Sequence, residues 1–144
     1  MNEMMLVVVL AGRRAALPAV AVNSVIELSE VTPVPLAARH VAGLAALRSR
    51  PLTVIDCARS LGLETADTGA RRAVVVEHQG HLYGLLVDAA DDIVAALDEP
   101  APLGADAGPG WQRAALGRID TEAGALLLLD IAGLIAGPDA ALAA

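Results

Sequence analysis

A mainly β fold, a small barrel or sandwich, is what the sequence predicts, and three observations predict it. Short runs rich in Val, Leu and Ile recur along the chain. Turn signals separate those runs, as in barrels and sandwiches rather than helical bundles. One strand-like segment, with the short helix that follows it, is echoed later in the chain, which points to two similar lobes.

The elements follow in order. Leu6 to Leu10 reads as a first strand, Ala11-Gly12-Arg13-Arg14 as a turn, and Ala15 to Pro18 as the returning strand. Val20 to Leu28 has a mixed apolar period, so a short helical turn passing into a strand is expected there. Ser29 to Pro35 holds two prolines and must be extended and loop-like. Val41 to Leu47 and Leu52 to Ile55 are two more strands, split by Arg48-Ser49-Arg50. Arg72 to Glu77 and Leu82 to Val87 form the clearest hairpin, with Gly80 supplying the positive φ of a tight turn. Glu64 to Ala70 and Asp98 to Gly110 read as loops, and neither resembles an interdomain linker.

The echo is specific in form. Leu52 to Ile55 meets Asp56, then Cys57 to Leu61 and Gly62; Leu126 to Leu129 meets Asp130, then Ile131 to Ala136 and Gly137. An Asp N-cap accepts orphan N–H groups and suits the helix dipole, and a glycine fits the left-handed residue past a helix end. With 144 residues, the chain has the size of a single domain, so residues 1–144 are taken as one domain.

Composition removes several function classes. Apolar residues make up 56% of the chain against 1% aromatic, so the core must be built from Val, Leu, Ile and Ala. All ten basic residues are arginine, which excludes a Schiff-base, phosphate-loop or general-base lysine. A net charge of −7 with one Tyr and one Trp argues against nucleic acid. A lone cysteine, Cys57, forms no intrachain disulfide. The start lacks a basic flank and cleavage site, and no apolar stretch approaches the roughly 20 residues of a membrane span. A soluble cytoplasmic protein without membrane insertion is expected.

The chemical candidates are weak. Cys57 at a helix start would suit a thiolate nucleophile, but no histidine lies near it in sequence, and core packing is the expectation. His78 and His81 bracket a turn and lack a third ligand, so no metal site is expected. Asp91-Asp92 and Asp98-Glu99 lack the alternation of a calcium loop and read as a solvated face. Trp111 is expected to plug the core or cover a lobe seam. Arg48 ends an apolar run and is expected at the surface, where arginine is a common interface anchor, although the residues alone slightly favour an idle surface position. No catalytic residue and no cofactor are assigned.

The order of segments resembles the CheW family of chemotaxis coupling proteins over roughly residues 4 to 137. Leu6 to Leu10, Ala16-Leu17-Pro18 and Val22 to Leu28 match its start. Gly43-Leu44-Ala45-Ala46-Leu47-Arg48-Ser49, Thr53-Val54-Ile55-Asp56-Cys57-Ala58 and Leu61-Gly62 match its central pattern. Tyr83-Gly84-Leu85-Leu86-Val87-Asp88 with Ile93, Leu116-Gly117-Arg118 and Leu126 to Asp130 match the remainder.

The resemblance implies two intertwined SH3-like five-stranded β-barrel lobes with a few short helices. It also implies a non-enzymatic adaptor that bridges the cytoplasmic tips of methyl-accepting chemoreceptors to the regulatory domain of the histidine kinase CheA. The partner-binding residues it implies are Arg48, flanked by Leu47 and Gly43, together with Val22 and Val25. Ala46, Ser49, Thr53 and Ala58 depart from the family's Asn, Gly, Pro and second Arg, and Ser24 stands where an acidic residue is common. Such departures suit a diverged module that regulates or competes for a kinase in a non-chemotactic two-component pathway, the alternative within binding proteins. A thiol enzyme using Cys57 and a small-ligand sensor barrel are the rivals from other classes. Exposed strand edges would allow weak self-association.

Overall fold

Alternating Val, Leu and Ala residues pair into hairpins closed by two-residue turns. β1 (Met4–Leu10) and β2 (Arg13–Pro18) meet at Ala11-Gly12, β4 (Val41–Leu47) and β5 (Arg50–Asp56) at Arg48-Ser49, and β6 (Arg71–His78) and β7 (His81–Val87) at Gln79-Gly80. In all three turns both residues carry positive φ, the backbone whose twist matches the flanking strands. The computed structural model describes residues 3–28, 30–63, 71–104 and 108–138. The loop expected over 64–70 lies outside the described residues.

Among the described residues the strands form two five-stranded sheets, ordered β8-β1-β2-β10-β9 and β3-β6-β7-β5-β4. β3 is Val22–Leu28, β8 is Ala89–Ala95, β9 is Ala115–Thr121 and β10 is Gly124–Leu129. The two sheets share one plan. Each has a central hairpin, β1-β2 or β6-β7, whose second strand runs parallel to β10 or β5. An outer strand flanks each side antiparallel, β8 and β9 in one sheet, β3 and β4 in the other. The segment after β8 bridges β9 through Ala96–Thr121 and Ala101–Arg118, and the segment after β3 bridges β4 through Thr32–Leu44. Each sheet thus curls until its two edges are tied.

The echo in the sequence is this repeated plan. α1 (Cys57–Ser60) follows β5 as α3 (Ile131–Ala136) follows β10. Asp56 caps α1 by accepting the Arg59 N–H at 3.2 Å. Asp130 holds the same place before α3, but its side chain accepts no capping bond. Its charge instead acts on the Arg113 guanidinium, whose pKa burial lowers and Asp130 raises.

Among the described residues, four apolar clusters fill the fold. Met5, Val7, Val94, Ile119, Leu126 and Leu128 pack inside the first lobe. Leu52, Val75 and Leu82, with Val54, Ala73 and Leu86, pack inside the second. The largest cluster lies between them: Leu6, Val8 and Leu17 from the first sheet meet Ile55, Val74, Val76 and Leu85 from the second. Trp111, 3% exposed, plugs this shared core from α2 (Pro109–Ala114), with the Arg13 guanidinium carbon 5.2 Å from its ring centroid. β8, β9 and α2 were not expected as elements, because Asp91-Asp92, Gly117 and Pro109-Gly110 break the apolar pattern there. α2 begins inside the segment expected to be loop up to Gly110, where Pro at the first helical position starts a helix readily.

Candidate functional site

Arg48 stands exposed at the tip of the β4-β5 hairpin with φ 49°, followed by Ser49 at φ 66°. Two consecutive residues other than glycine in the left-handed region store strain, a feature that clusters at functional sites. Leu47, just before the turn, packs half-buried into the second lobe's interior beside Leu52, Val75 and Leu82.

Gly43 is buried, with φ 150°, and a Cβ there would overlap the Thr32 carbonyl. Its counterpart Gly117, at φ 157°, bears the same relation to the Ala101 carbonyl. Both glycines let the segment leaving an outer strand cross the opposite edge of its sheet. The geometry of Gly43 therefore explains why glycine stands there without reference to a partner.

Val22 and Val25 lie on β3, at the far edge of that sheet from β4. Their spacing would place them on opposite faces of a regular strand. A bulge between Val22 and Ser24 sets them opposite Val76 and Val74 instead, so both face the shared core. The structure thus distributes the five residues over a hairpin tip, a lobe interior, a backbone crossing and the seam between lobes, and does not gather them into one patch.

An apolar strip that sequence reasoning did not single out continues from the seam. Leu6 is buried in the shared core, and Ile93, its cross-strand partner, is 57% exposed. Met4, opposite Ala95, is 43% exposed and extends the same face, and Leu97 follows at 58%. β8 packs on β6, the strand that carries β3 with Val22 and Val25. The available signal was the alternation Asp92-Ile93-Val94-Ala95 with Val94 inward. On the second lobe, Val34, Leu36 and Leu44 are further exposed apolar residues around the Thr32–Leu44 bridge.

The chemical candidates fall to structural roles. Cys57 is 0% exposed, within the shared core, where no substrate reaches its sulfur in the folded state. His78 and His81 pair across the hairpin end, and the His78 ring stands edge-on to Tyr83 at 6.3 Å between centroids. Among the described residues no group of three His, Cys, Asp or Glu is placed to hold a metal ion. Asp92, Asp98 and Glu99 are solvent-exposed, as expected. Among the described residues no helix is long and apolar enough to cross a membrane.

The molecule is thus a pair of curled sheets around one seam, with exposed apolar residues beside the seam and a buried thiol within it. The chain belongs to the CheW-like domain family, whose model matches residues 4–138. It is 33% identical over 86 residues to the chemotaxis protein CheW of Rhizobium meliloti, covering 57% of this chain and 56% of that protein. A probable chemotaxis protein CheW of Rhizobium etli is 38% identical over 69 residues, covering 47% of this chain and 44% of that one. The aligned part thus spans about half the length of these curated relatives. The crystal structure of the scaffolding protein TtCheW from Thermoanaerobacter tengcongensis superposes with a TM-score of 0.76 at 23% identity, covering 91% of this chain and 86% of that one. The fold is accordingly the two-lobed, mainly β CheW architecture.

Proposed function

We propose that this chain is a non-enzymatic coupling scaffold of the cytoplasm, joining chemoreceptor tips to the regulatory domain of the histidine kinase CheA. The observation that carries the proposal is the uncovered continuation of the inter-lobe core through Ile93 and Met4. Exposed apolar surface contiguous with a core marks an interaction site. The helical tip of a receptor supplies an apolar ridge suited to an exposed apolar strip beside the seam. Arg48 supplies a second, charged contact on the hairpin tip, away from Val22 and Val25. Relatives named for chemotaxis and for scaffolding support the same assignment.

The test is size-exclusion chromatography of the chain with the regulatory domain of a CheA kinase from its own genome. A shared peak that Arg48→Ala abolishes, with the melting temperature unchanged, supports the kinase contact. Loss of binding and of thermal stability together assigns Arg48 a structural role and removes it from the interface.

A further inference from the structure

α3 is a helix of six residues, too short to persist without tertiary support. Its last turn leaves backbone carbonyls without intrahelical partners. Three successive carbonyls there accept from side chains on three different segments, that of Gly133 also from the Gly137 N–H. Arg113 Nη1, on α2, donates to the Gly133 carbonyl at 2.7 Å. Ser60 Oγ, on α1, donates to the Leu134 carbonyl at 2.7 Å. His40 Nε2, on the residue before β4, lies 2.7 Å from the Ile135 carbonyl, the geometry of a donor to that oxygen.

Two of these three side chains come from the opposite lobe. His40 and Ser60 flank β4 and β5 of the second sheet, whereas α3 follows β10 of the first. Arg113 also donates to the Ser60 backbone carbonyl and hydroxyl, so its guanidinium joins α1 to α3. Such charge-assisted bonds are the stronger kind. His40 and Ser60 are both buried. The chain closes on the His40 ring at Gly137, where φ is 84° and a Cβ would overlap the imidazole. Leu134, 0% exposed, plants the helix in the shared core.

Solvent water would satisfy these carbonyls as well if α3 needed only a cap. Drawing two of the donors from the other lobe ties the helix to the seam. We propose that α3 is a strap across the seam that opens as one unit more easily than the sheets unfold, and that the bonds from His40, Ser60 and Arg113 set how often it opens. Shut, it holds the lobes in register; open, it frees one end of the shared core.

Native-state hydrogen exchange of the isolated full chain tests this. The reporters are the amides of Leu134 and of the capping Gly137, which donate to the Asp130 and Gly133 carbonyls and so close the first and last turns of α3, against those of Val75 and Leu85 in the β6-β7 ladder. The strap predicts that the α3 amides exchange at least tenfold faster than the ladder amides in the unaltered protein. Ser60→Ala and His40→Ala should each speed the α3 amides by about tenfold and leave the ladder amides unchanged. His40→Gln, whose side-chain amide can still donate, should stay closer to the unaltered rate than His40→Ala does. One shared rate for all four amides, or equal acceleration of both sets by Ser60→Ala, would overturn the proposal and leave α3 as an ordinary part of the global core.

Discussion

Arg48 and Ser49 show how much a single turn carries. Both sit in the left-handed region, where a residue other than glycine costs about 1–2 kcal/mol. The family pattern that the sequence resembles has glycine at the second position. Ser49→Gly should therefore stabilise the fold, raising the melting temperature by about 2–5 °C in differential scanning calorimetry. An unchanged or lower value would mean that the strain is relieved elsewhere. Arg48→Ala, in contrast, should leave thermal stability alone and weaken partner binding at least tenfold. Asp56 was readable as a cap from its place between strand and helix, and Asp56→Ala should cost about 1 kcal/mol in chemical unfolding. Asp130, in an equivalent place, was misread as a capping side chain. Its charge acts instead on Arg113, seventeen residues away, which no local pattern connects to it.

At the scale of elements, the hairpins were legible because turn chemistry and period-two patterning agree locally. β8 and α2 were not, because each depends on pairing or packing with distant partners, and β9, although it pairs with the adjacent β10, is hidden by Gly117 in its apolar run. The clearest case is the crossing at Gly43 and Gly117. Neither residue sits in a turn, and the reason for each is a carbonyl brought from another segment. Gly43→Ala and Gly117→Ala should each lower stability by about 2 kcal/mol or more, the scale of overpacking a close contact. Equal losses in urea unfolding would confirm that the two positions are structural equivalents. A neutral Gly43→Ala that still weakened partner binding would restore Gly43 to the interface. The repeated bulges follow the same symmetry. Val7/Val8 and Val22/Ser24 interrupt the outer pairing of each central hairpin, and Leu128/Leu129 and Val41/Gly43 interrupt the far edges.

For the whole molecule, the near absence of aromatic residues predicted a core of aliphatic side chains, and the four clusters among the described residues are built that way, with Trp111 in the largest. The two-lobe plan was legible from one short echo because the echoed segments occupy equivalent places in the two sheets. The apolar strip was not legible. Ile93 stands in the sequence only as a match to the family pattern, and its exposure beside the covered Leu6 comes from the fold. Ile93→Asp should leave the melting temperature within about 2 °C, as expected of an exposed site, and should abolish capture of a receptor-tip peptide hairpin.

Coupling itself is tested most directly by a three-component capture. A receptor tip is immobilised, the regulatory domain of CheA is supplied in solution, and the chain is titrated between them. The account predicts that the chain increases the kinase domain retained on the receptor, and that Arg48→Ala and Ile93→Asp each remove the increase. Kinase domain retained less as the chain is added would show competition in place of bridging, and would contradict the coupling function.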